Sequence, residues 1–421
     1  MELGNVTGLQ TLNFAGGIQT GSDVTTTVNA LQGSETIQVS VNNNGNTGTL
    51  DANVVDAGNN SNDSLTFELS GGGTNGSLNL DAEDIETLTL DVSGEQTVDI
   101  TDAALETLDV TADDATTLTS GNTSSLTAIN AGGSSGDIDT TGLTLSSNGV
   151  DLTTGGGDDT VSSGNGDDTI NTQGGADTIL LNLGNDLASD IDAGSGNDTM
   201  QIAGTITGSG LRVELAQGSQ QIQNAGGATI TGTQQGFRNV DASQINTQGS
   251  AAAEIIGDGN ANTATGTDNN DTIELGGGDD TLSGGRGADN LRGGDGSDTV
   301  DYTGEDQFVD ANDDSTDSND VEGVAANLSG SGISETQLQN RVSGVGANAV
   351  TITGLDDAFL GSSSNDLAAN THAYLLETQG SQGAEASQRD TFSSNENETG
   401  TAKQDFLVGN TGENTLVGNG G

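Results

Sequence analysis

The sequence predicts an all-β fold, a right-handed parallel β-solenoid, and three observations support this prediction. Aspartates recur every nine residues in two clusters. Short runs of alternating apolar and polar residues recur about every ten residues through the N-terminal part of the chain. Aromatic residues are only 2% of the 421 residues, and 67 residues are glycine. A thin solenoid core of small aliphatic side chains fits this composition better than a conventional globular core does.

The later aspartate cluster has the most regular frame. Asp271, Asp280, Asp289 and Asp298 are nine residues apart, and an apolar residue lies two positions after each of the last three. A glycine lies two positions before each of those three. Glycine permits the positive φ of a tight turn and lets backbone carbonyls approach one point. Because aspartate supplies the hard oxygen ligands that Ca²⁺ prefers, the frame indicates a cation-binding turn followed by a short strand.

The earlier cluster repeats this frame less evenly. Asp159, Asp168, Asp177 and Asp186 are nine residues apart, and Asp198 follows after a step of twelve. Glycines are fewer before Asp186, so we expect weaker binding in the middle of this cluster. We expect ten glycines to line the cation sites of the two clusters: Gly155, Gly157, Gly164, Gly166, Gly276, Gly278, Gly285, Gly287, Gly294 and Gly296.

The frame, written Gly-Gly-x-Gly-x-Asp-x-apolar-x, resembles the nonapeptide repeat of the RTX family of secreted bacterial proteins. The resemblance implies a parallel β-roll in which two nonapeptides make one turn and several Ca²⁺ ions lie between turns. It implies that the aspartates and glycines named above are the metal ligands. It also implies export by a one-step (type I) exporter and an extracellular or cell-surface location. Without metal, such glycine-rich acidic clusters are expected to be disordered.

The chain is predicted to contain six segments. They are an N-terminal solenoid with wide, mostly ion-free turns (1–150), a first β-roll cluster (151–202), a connecting solenoid (203–256), a second β-roll cluster (257–302), an irregular insertion or lateral projection (303–404) and incomplete C-terminal repeats (405–421).

Two shorter patterns add detail to these segments. Residues 86–88 and 106–108 both read Glu-Thr-Leu, which predicts that they lie in register on successive turns. Residues 333–342 and 364–379 are the two stretches that fit short helices. The last repeat stops at Gly421, so we expect either a fragment or completion of the repeat by something else, such as a neighbouring chain.

Charge restricts the partners. The net charge is −56, and no Lys or Arg precedes Arg212. Such a chain has no basic patch to neutralise phosphates, so nucleic acid is not an expected partner. Insertion into a membrane is not expected either, because no apolar stretch approaches the length of a spanning helix. Part of the acidic excess also fits a protein that is kept soluble in a saline environment.

No enzymatic site is predicted. The chain has one histidine, His372, so a zinc site of the HExxH type is impossible. Residues 132–136 match the pattern G-x-S-x-G, but they lie in a Gly/Ser-rich turn without the strand–turn–helix context that a nucleophile requires. We interpret this match as chance.

Two functions from different classes fit the sequence. The first is an extracellular structural protein that folds with calcium and self-assembles into a surface layer or filament. The Thr-rich style of the N-terminal segment also resembles RTX-type S-layer proteins. The second is an RTX adhesin that presents residues 303–404 to a glycan or surface. The predicted partners are copies of the chain itself and a cell-surface polysaccharide.

Overall fold

The computed structural model describes the central part of the chain and separate strands on either side of it. The described residues are 11–14, 35–40, 51–54, 64–70, 77–82, 85–287, 289–303, 322–327, 333–334, 366–367, 371–376, 391–393, 397–400, 406–409 and 413–419. Within these ranges all the secondary-structure elements are β-strands, which confirms the all-β prediction.

The chain divides by its internal contacts into two units. Unit 1 comprises Met1–Gln201, Gly218–Gln220 and Ile230–Phe237, and unit 2 comprises Ile202–Gln217, Gln221–Thr229 and Arg238–Gly421. The first seventeen strands are β1 (Thr11–Phe14), β2 (Glu35–Ser40), β3 (Asp51–Val54), β4 (Ser64–Ser70), β5 (Ser77–Ala82), β6 (Thr87–Ser93), β7 (Gln96–Thr101), β8 (Thr107–Ala112), β9 (Thr116–Asn122), β10 (Ala128–Asn130), β11 (Ile138–Gly142), β12 (Asp151–Thr153), β13 (Thr160–Ser162), β14 (Thr169–Asn171), β15 (Thr178–Asn182), β16 (Asp190–Asp192) and β17 (Thr199–Ile206).

The remaining strands follow in chain order. They are β18 (Leu211–Glu214), β19 (Ile222–Ala225), β20 (Gln234–Gln235), β21 (Asn239–Thr247), β22 (Ala253–Ile256), β23 (Thr263–Thr265), β24 (Thr272–Gly277), β25 (Thr281–Ser283), β26 (Asn290–Asp295), β27 (Thr299–Asp301), β28 (Glu322–Asn327), β29 (Ile333–Ser334), β30 (Asp366–Leu367), β31 (Thr371–Leu376), β32 (Thr391–Ser393), β33 (Asn397–Thr399), β34 (Phe406–Val408) and β35 (Leu416–Val417).

Successive strands of unit 1 alternate between two parallel sheets. One sheet has the order β1-β2-β4-β6-β8-β10-β12-β14-β16-β20, and the other runs β3-β5-β7-β9-β11-β13-β15-β17. Each turn of the chain therefore contributes one strand to each sheet, which is the topology of a parallel β-solenoid, as predicted.

The core of unit 1 is a stack of inward-facing aliphatic side chains. Strands such as β8 alternate buried and half-buried residues, as period-two side-chain alternation requires. The Glu-Thr-Leu prediction is confirmed, because Leu88 of β6 lies in register with Leu108 of β8. The same stack continues strand by strand through buried residues: Leu65, Leu88, Leu108, Ile129, Leu152, Ile170 and Ile191.

The turns shorten where the aspartate clusters begin. In the N-terminal part, Thr87 pairs with Thr107. In the clusters, Thr160 pairs with Thr178, and the hydrogen-bonded residues of adjacent turns are 18 apart in sequence. Two nonapeptides therefore make one turn at these levels, as the resemblance implied.

Successive strands of unit 2 also alternate between two sheets, with local exceptions. One of its sheets contains β21-β23-β25-β27-β33-β35, and another has the order β19-β18-β22-β24-β26-β32-β31-β28-β34. Strands β32 and β33 pair in parallel with β26 and β27, so residues 391–393 and 397–399 extend the sheets of the second cluster. The six segment boundaries predicted from sequence remain a prediction.

Two expectations from sequence need correction. The connecting segment contains an antiparallel pair, β18 with β19, and does not simply continue the parallel coil. The helix predicted over 364–379 is wrong at Thr371–Leu376, which is a strand paired antiparallel to β28 over six residue pairs. Ile333–Ser334 and Asp366–Leu367, at the two predicted helices, also form a strand pair. Pairing with a neighbouring strand outweighs weak helix propensity here, and the rest of both predicted helices lies outside the described residues.

The inward stack gives a direct test of the fold. Ile179 of β15 is fully buried in register with Val161 of β13. Ile179→Ala is therefore expected to lower the free energy of unfolding by about 2–5 kcal/mol, measured by urea titration in saturating Ca²⁺. The adjacent Thr178 points outward, and Thr178→Ala is the matched control with an expected change within about 0.5 kcal/mol. Equal losses for the two variants would contradict the assignment of the inward face.

Candidate metal centre

The aspartates of the earlier cluster form a column at one corner of the solenoid. The backbone N–H of Ile138 donates to Oδ1 of Asp159 (2.7 Å), that of Asp159 to Oδ1 of Asp177 (2.8 Å), and that of Asp177 to Oδ1 of Asp198 (2.9 Å). All three carboxylates are buried. We name these four residues the first column. Each aspartate thus binds the turn before it, and neighbouring carboxylates are brought to successive levels of one corner.

The opposite sheet of unit 1 carries a second column, composed of Val150, Asp168 and Ser189. The N–H of Val150 donates to Oδ1 of Asp168 (2.8 Å), and the N–H of Asp168 donates to Oγ of Ser189 (2.9 Å). The strand register agrees with this alignment of Asp168 and Ser189, because the next residues along the chain, Thr169 and Asp190, pair with each other. The even nine-residue spacing had placed Asp186 over Asp168, and this register is wrong. Ser189 occupies that level, three residues further along the chain.

Asp186 lies in the longer turn that causes this shift. Its Oδ2 accepts hydrogen bonds from the Ser163 hydroxyl (2.5 Å) and from the N–H of Asn182, while Oδ1 is buried with no hydrogen-bond donor. The N–H of Asp186 donates to the carbonyl of Asn182, and the N–H of Ser189 donates to that of Asp186. These backbone bonds accommodate the three extra residues as a tight turn. Asp186 as a metal ligand remains a prediction.

The later cluster has a third column, composed of Asn262, Asp280 and Asp298. The N–H of Asn262 donates to Oδ1 of Asp280 (2.8 Å), and the N–H of Asp280 to Oδ1 of Asp298 (3.0 Å). All three side chains are buried. Asn262 therefore stands at the first level of this column, with an amide in place of the carboxylate.

A fourth column, Ala253, Asp271 and Asp289, runs along the other sheet of unit 2. The N–H of Ala253 donates to Oδ1 of Asp271 (2.6 Å), and the N–H of Asp271 to Oδ1 of Asp289 (2.7 Å). Thr267 stands where the repeat frame has glycine. Its N–H (2.5 Å) and its hydroxyl (2.9 Å) both donate to Oδ2 of Asp271. Asp271 is thus held by protein donors on both oxygens.

Most of the columns bury a negative charge that the protein does not neutralise. Burial raises the pKa of Asp159 to about 6 and the pKa of Asp168 to about 7, and it also raises the pKa values of Asp177 and Asp280. In these four residues Oδ2 is buried with no hydrogen-bond donor. A buried carboxylate with an unpartnered oxygen is costly unless a proton or a cation reaches it.

The predicted glycines allow the turns to approach one another. Eight of the ten have positive φ: Gly164, Gly166, Gly276, Gly278, Gly285, Gly287, Gly294 and Gly296. The other two are restricted by space, since a Cβ on Gly157 would lie 2.6 Å from the carbonyl oxygen of Gly136, and one on Gly155 would overlap the carbonyl of Ser134. The sequence reasoning missed Gly175, Gly194 and Gly196, although they stand two or four residues before Asp177 and Asp198, as the repeat frame requires.

These turns suit a hard cation. Paired carboxylates along a column and glycine carbonyls at close approach supply the oxygen donors that Ca²⁺ takes, six to eight per ion. The cradle is tight, since a Cβ on Gly175 would overlap the carbonyl oxygen of Gly157. Among the described residues no three His, Cys, Asp or Glu side chains converge on one point. The columns thus offer carboxylates level by level rather than as a single cluster of side chains.

The residues considered for catalysis have structural partners. Ser134, in the G-x-S-x-G match, is buried, and its hydroxyl oxygen accepts from the N–H of Ala112 (3.1 Å) and donates to the carbonyl of Val110 (3.4 Å). His372 lies in β31, in register with Ala326 of β28. The described residues contain no helix that is long and apolar enough to cross a bilayer.

Comparison with known proteins identifies the repeats. The family model described as RTX calcium-binding nonapeptide repeat matches four copies, at residues 153–188, 256–291, 265–300 and 399–421. The first three copies contain Asp159, Asp168 and the aspartates of unit 2 described above. Neither the curated proteins nor the solved structures gave a match to the chain. The matched repeats bind Ca²⁺, and the chain carries several of them.

A pair of adjacent glycines tests the turn geometry. Gly278 has φ of 119°, and a Cβ there would overlap the backbone of Asn260 and Ala261, whereas a Cβ on Gly277 would meet nothing closer than 3.7 Å. Gly278→Ala is expected to destabilise the calcium-loaded protein by more than about 1 kcal/mol and to raise the Ca²⁺ midpoint of the far-UV circular dichroism signal. Gly277→Ala should leave both nearly unchanged. Equal behaviour of the two variants would refute the close approach.

The raised pKa values predict how the calcium-free protein responds to pH. The folded pKa values of Asp159 (about 6) and Asp168 (about 7) exceed the ordinary value of 3.8, so the folded state binds more protons in this window. The free energy of unfolding without Ca²⁺ should therefore rise as the pH falls from about 7.5 to 5. This gain should be lost as the pH rises through about 6–7. Far-UV circular dichroism in chelator measures this. The double variant Asp159→Asn, Asp168→Asn should respond less, and an unaltered response would contradict the assignment.

Proposed function

Because the chain is an RTX-type protein, we propose that it is a calcium-dependent extracellular structural protein whose copies assemble into a surface layer or filament. RTX calcium-binding repeats are typical of extracellular proteins. The observation that carries the proposal is the columns of buried carboxylates. Ca²⁺ offsets their charge at extracellular concentrations and not at the lower concentrations of a cytosol, so folding follows export.

Calcium binding and folding of the chain are thermodynamically linked. Ions that bind the folded columns but not the unfolded chain stabilise the fold, because their binding free energy becomes folding free energy. Extracellular-type sites bind Ca²⁺ at roughly 10⁻⁴ to 10⁻³ M. At the lower calcium of a cytosol, a chain of net charge −56 stays expanded by self-repulsion. This state suits export by a one-step exporter.

Assembly of copies is supported by the ends of the sheets. Among the described residues, each of these open sheets ends in a strand that has a neighbouring strand on one side only, such as β20 within the chain. An edge strand presents unpaired backbone groups that another chain can pair with. A head-to-tail contact that does not close on itself gives a filament, and lateral contacts give a layer.

This proposal assigns no catalytic role. A repeat solenoid of this kind is typically structural or binding, and the hydroxyl of Ser134 in the G-x-S-x-G match bonds to the backbone. The proposed partners are therefore other copies of the chain and a polysaccharide of the cell surface, with no nucleic acid and no membrane insertion.

Electron microscopy of the purified chain with and without about 2 mM Ca²⁺, which exceeds the dissociation constants of roughly 10⁻⁴ to 10⁻³ M expected of such sites, tests the proposal. Ordered polymers are expected only with calcium. Asp280→Asn should raise the calcium concentration at which polymers form, because it removes a buried carboxylate from the third column. Asp279→Asn changes the same charge on an exposed neighbour and is the matched control. Dispersed monomers in both conditions would contradict assembly. If loss of residues 303–404 also abolished glycan binding, the adhesin function would be favoured.

A further inference from the structure

The two columns of unit 1 differ in how many carboxylates they stack. In the first column Asp159, Asp177 and Asp198 follow one another on adjacent levels. In the second column Asp168 stands between Val150 and Ser189. The first column therefore offers two adjacent carboxylate pairs, and the second offers none. In unit 2, by contrast, both the third and the fourth column contain an adjacent aspartate pair.

Ser189 is a true member of its column. It is fully buried, and its hydroxyl accepts the N–H of Asp168 at 2.9 Å, as Oδ1 of Asp177 accepts the N–H of Asp159 at 2.8 Å. The strand that follows it keeps the core stack, because Ile170 pairs with Ile191. The serine thus reproduces the hydrogen bond that joins the turns and lacks the second, anionic oxygen.

The nearby carboxylate does not fill this level. Asp186 is drawn to the Ser163 hydroxyl (2.5 Å) and to the N–H of Asn182, in the turn that adds three residues between Asp177 and Ser189. One of its oxygens is thereby engaged by protein donors. The other is buried without a donor, so a test must also ask whether Asp186 binds an ion alone.

We propose that Ser189 interrupts calcium binding in the second column, so that unit 1 binds Ca²⁺ along one corner only, between Asp159, Asp177 and Asp198. A hydroxyl carries no charge, and Ca²⁺ binding weakens as the number of anionic ligands falls. Asp168 has a valine on one side and this serine on the other, so no ion is shared there by two carboxylates. Sequence spacing alone predicted Asp168 and Asp186 as ligands too, with weaker binding in the middle of the cluster.

The most direct test restores the missing carboxylate. Ser189→Asp in the full chain should add one bound Ca²⁺ in isothermal titration and native mass spectrometry, and should lower the Ca²⁺ midpoint of the circular dichroism signal several-fold. Ser124→Asp adds the same charge at an exposed turn and is the control, with no ion gained. A folded Ser189→Asp protein with an unchanged ion count would overturn the proposal.

Two removal variants keep the proposal testable if Ser189→Asp fails to fold. Asp177→Asn should reduce the ion count by at least one, because Asp177 is adjacent to two other carboxylates. Asp168→Asn and Asp186→Asn should each leave the count unchanged. Loss of an ion in either of these last variants would show that the second corner is loaded and would refute the proposal.

Discussion

The stacking of buried carboxylates on successive turns is the constraint on which the rest of this structure depends. In the first column each aspartate uses one oxygen to accept the N–H of the previous turn, and in Asp159 and Asp177 the second oxygen is buried without a donor. The hydrogen bond fixes the distance between turns. The remaining charge makes that arrangement unfavourable unless a cation or a proton is present. The same residues therefore join the turns of the fold and make the folded state depend on a bound cation or a proton.

Several features of the chain follow from this condition. The glycines before each aspartate are needed because carbonyl groups of adjacent turns come too close for a Cβ, as Gly157 and Gly175 show. The apolar core can be thin, with one inward side chain on each three-residue strand, such as Val161 of β13 or Ile170 of β14, because ions contribute to holding the turns together. The N-terminal turns differ, since longer strands such as Leu88 to Val92 of β6 supply three buried side chains each.

Much of the fold and of the candidate site could be predicted from the sequence, because a repeat presents the same local pattern of residues many times. The frame around Asp280 predicted the turn, the ligand and the inward position together. The structure confirms the turn at Gly278 and the inward position of Leu282, and the ligand assignment stays a prediction. The position of Ser189 could not be predicted in this way. The three-residue insertion is visible in the sequence only as the twelve-residue step from Asp186 to Asp198. Strand pairing is needed to show that Ser189, and not Asp186, reaches the column. Thr371–Leu376 was misjudged because its partner strand lies about fifty residues earlier in the chain.

Hydrogen exchange with and without chelator tests the central claim most directly. The account predicts that removing Ca²⁺ abolishes amide protection at 159–198 and 262–298, where the column N–H groups lie, while the longer, aliphatic strands of 87–112 lose less. Restoring calcium should restore the protection at both sets. Equal protection of the column amides in the presence and absence of calcium would contradict the claim that these buried carboxylates need the ion.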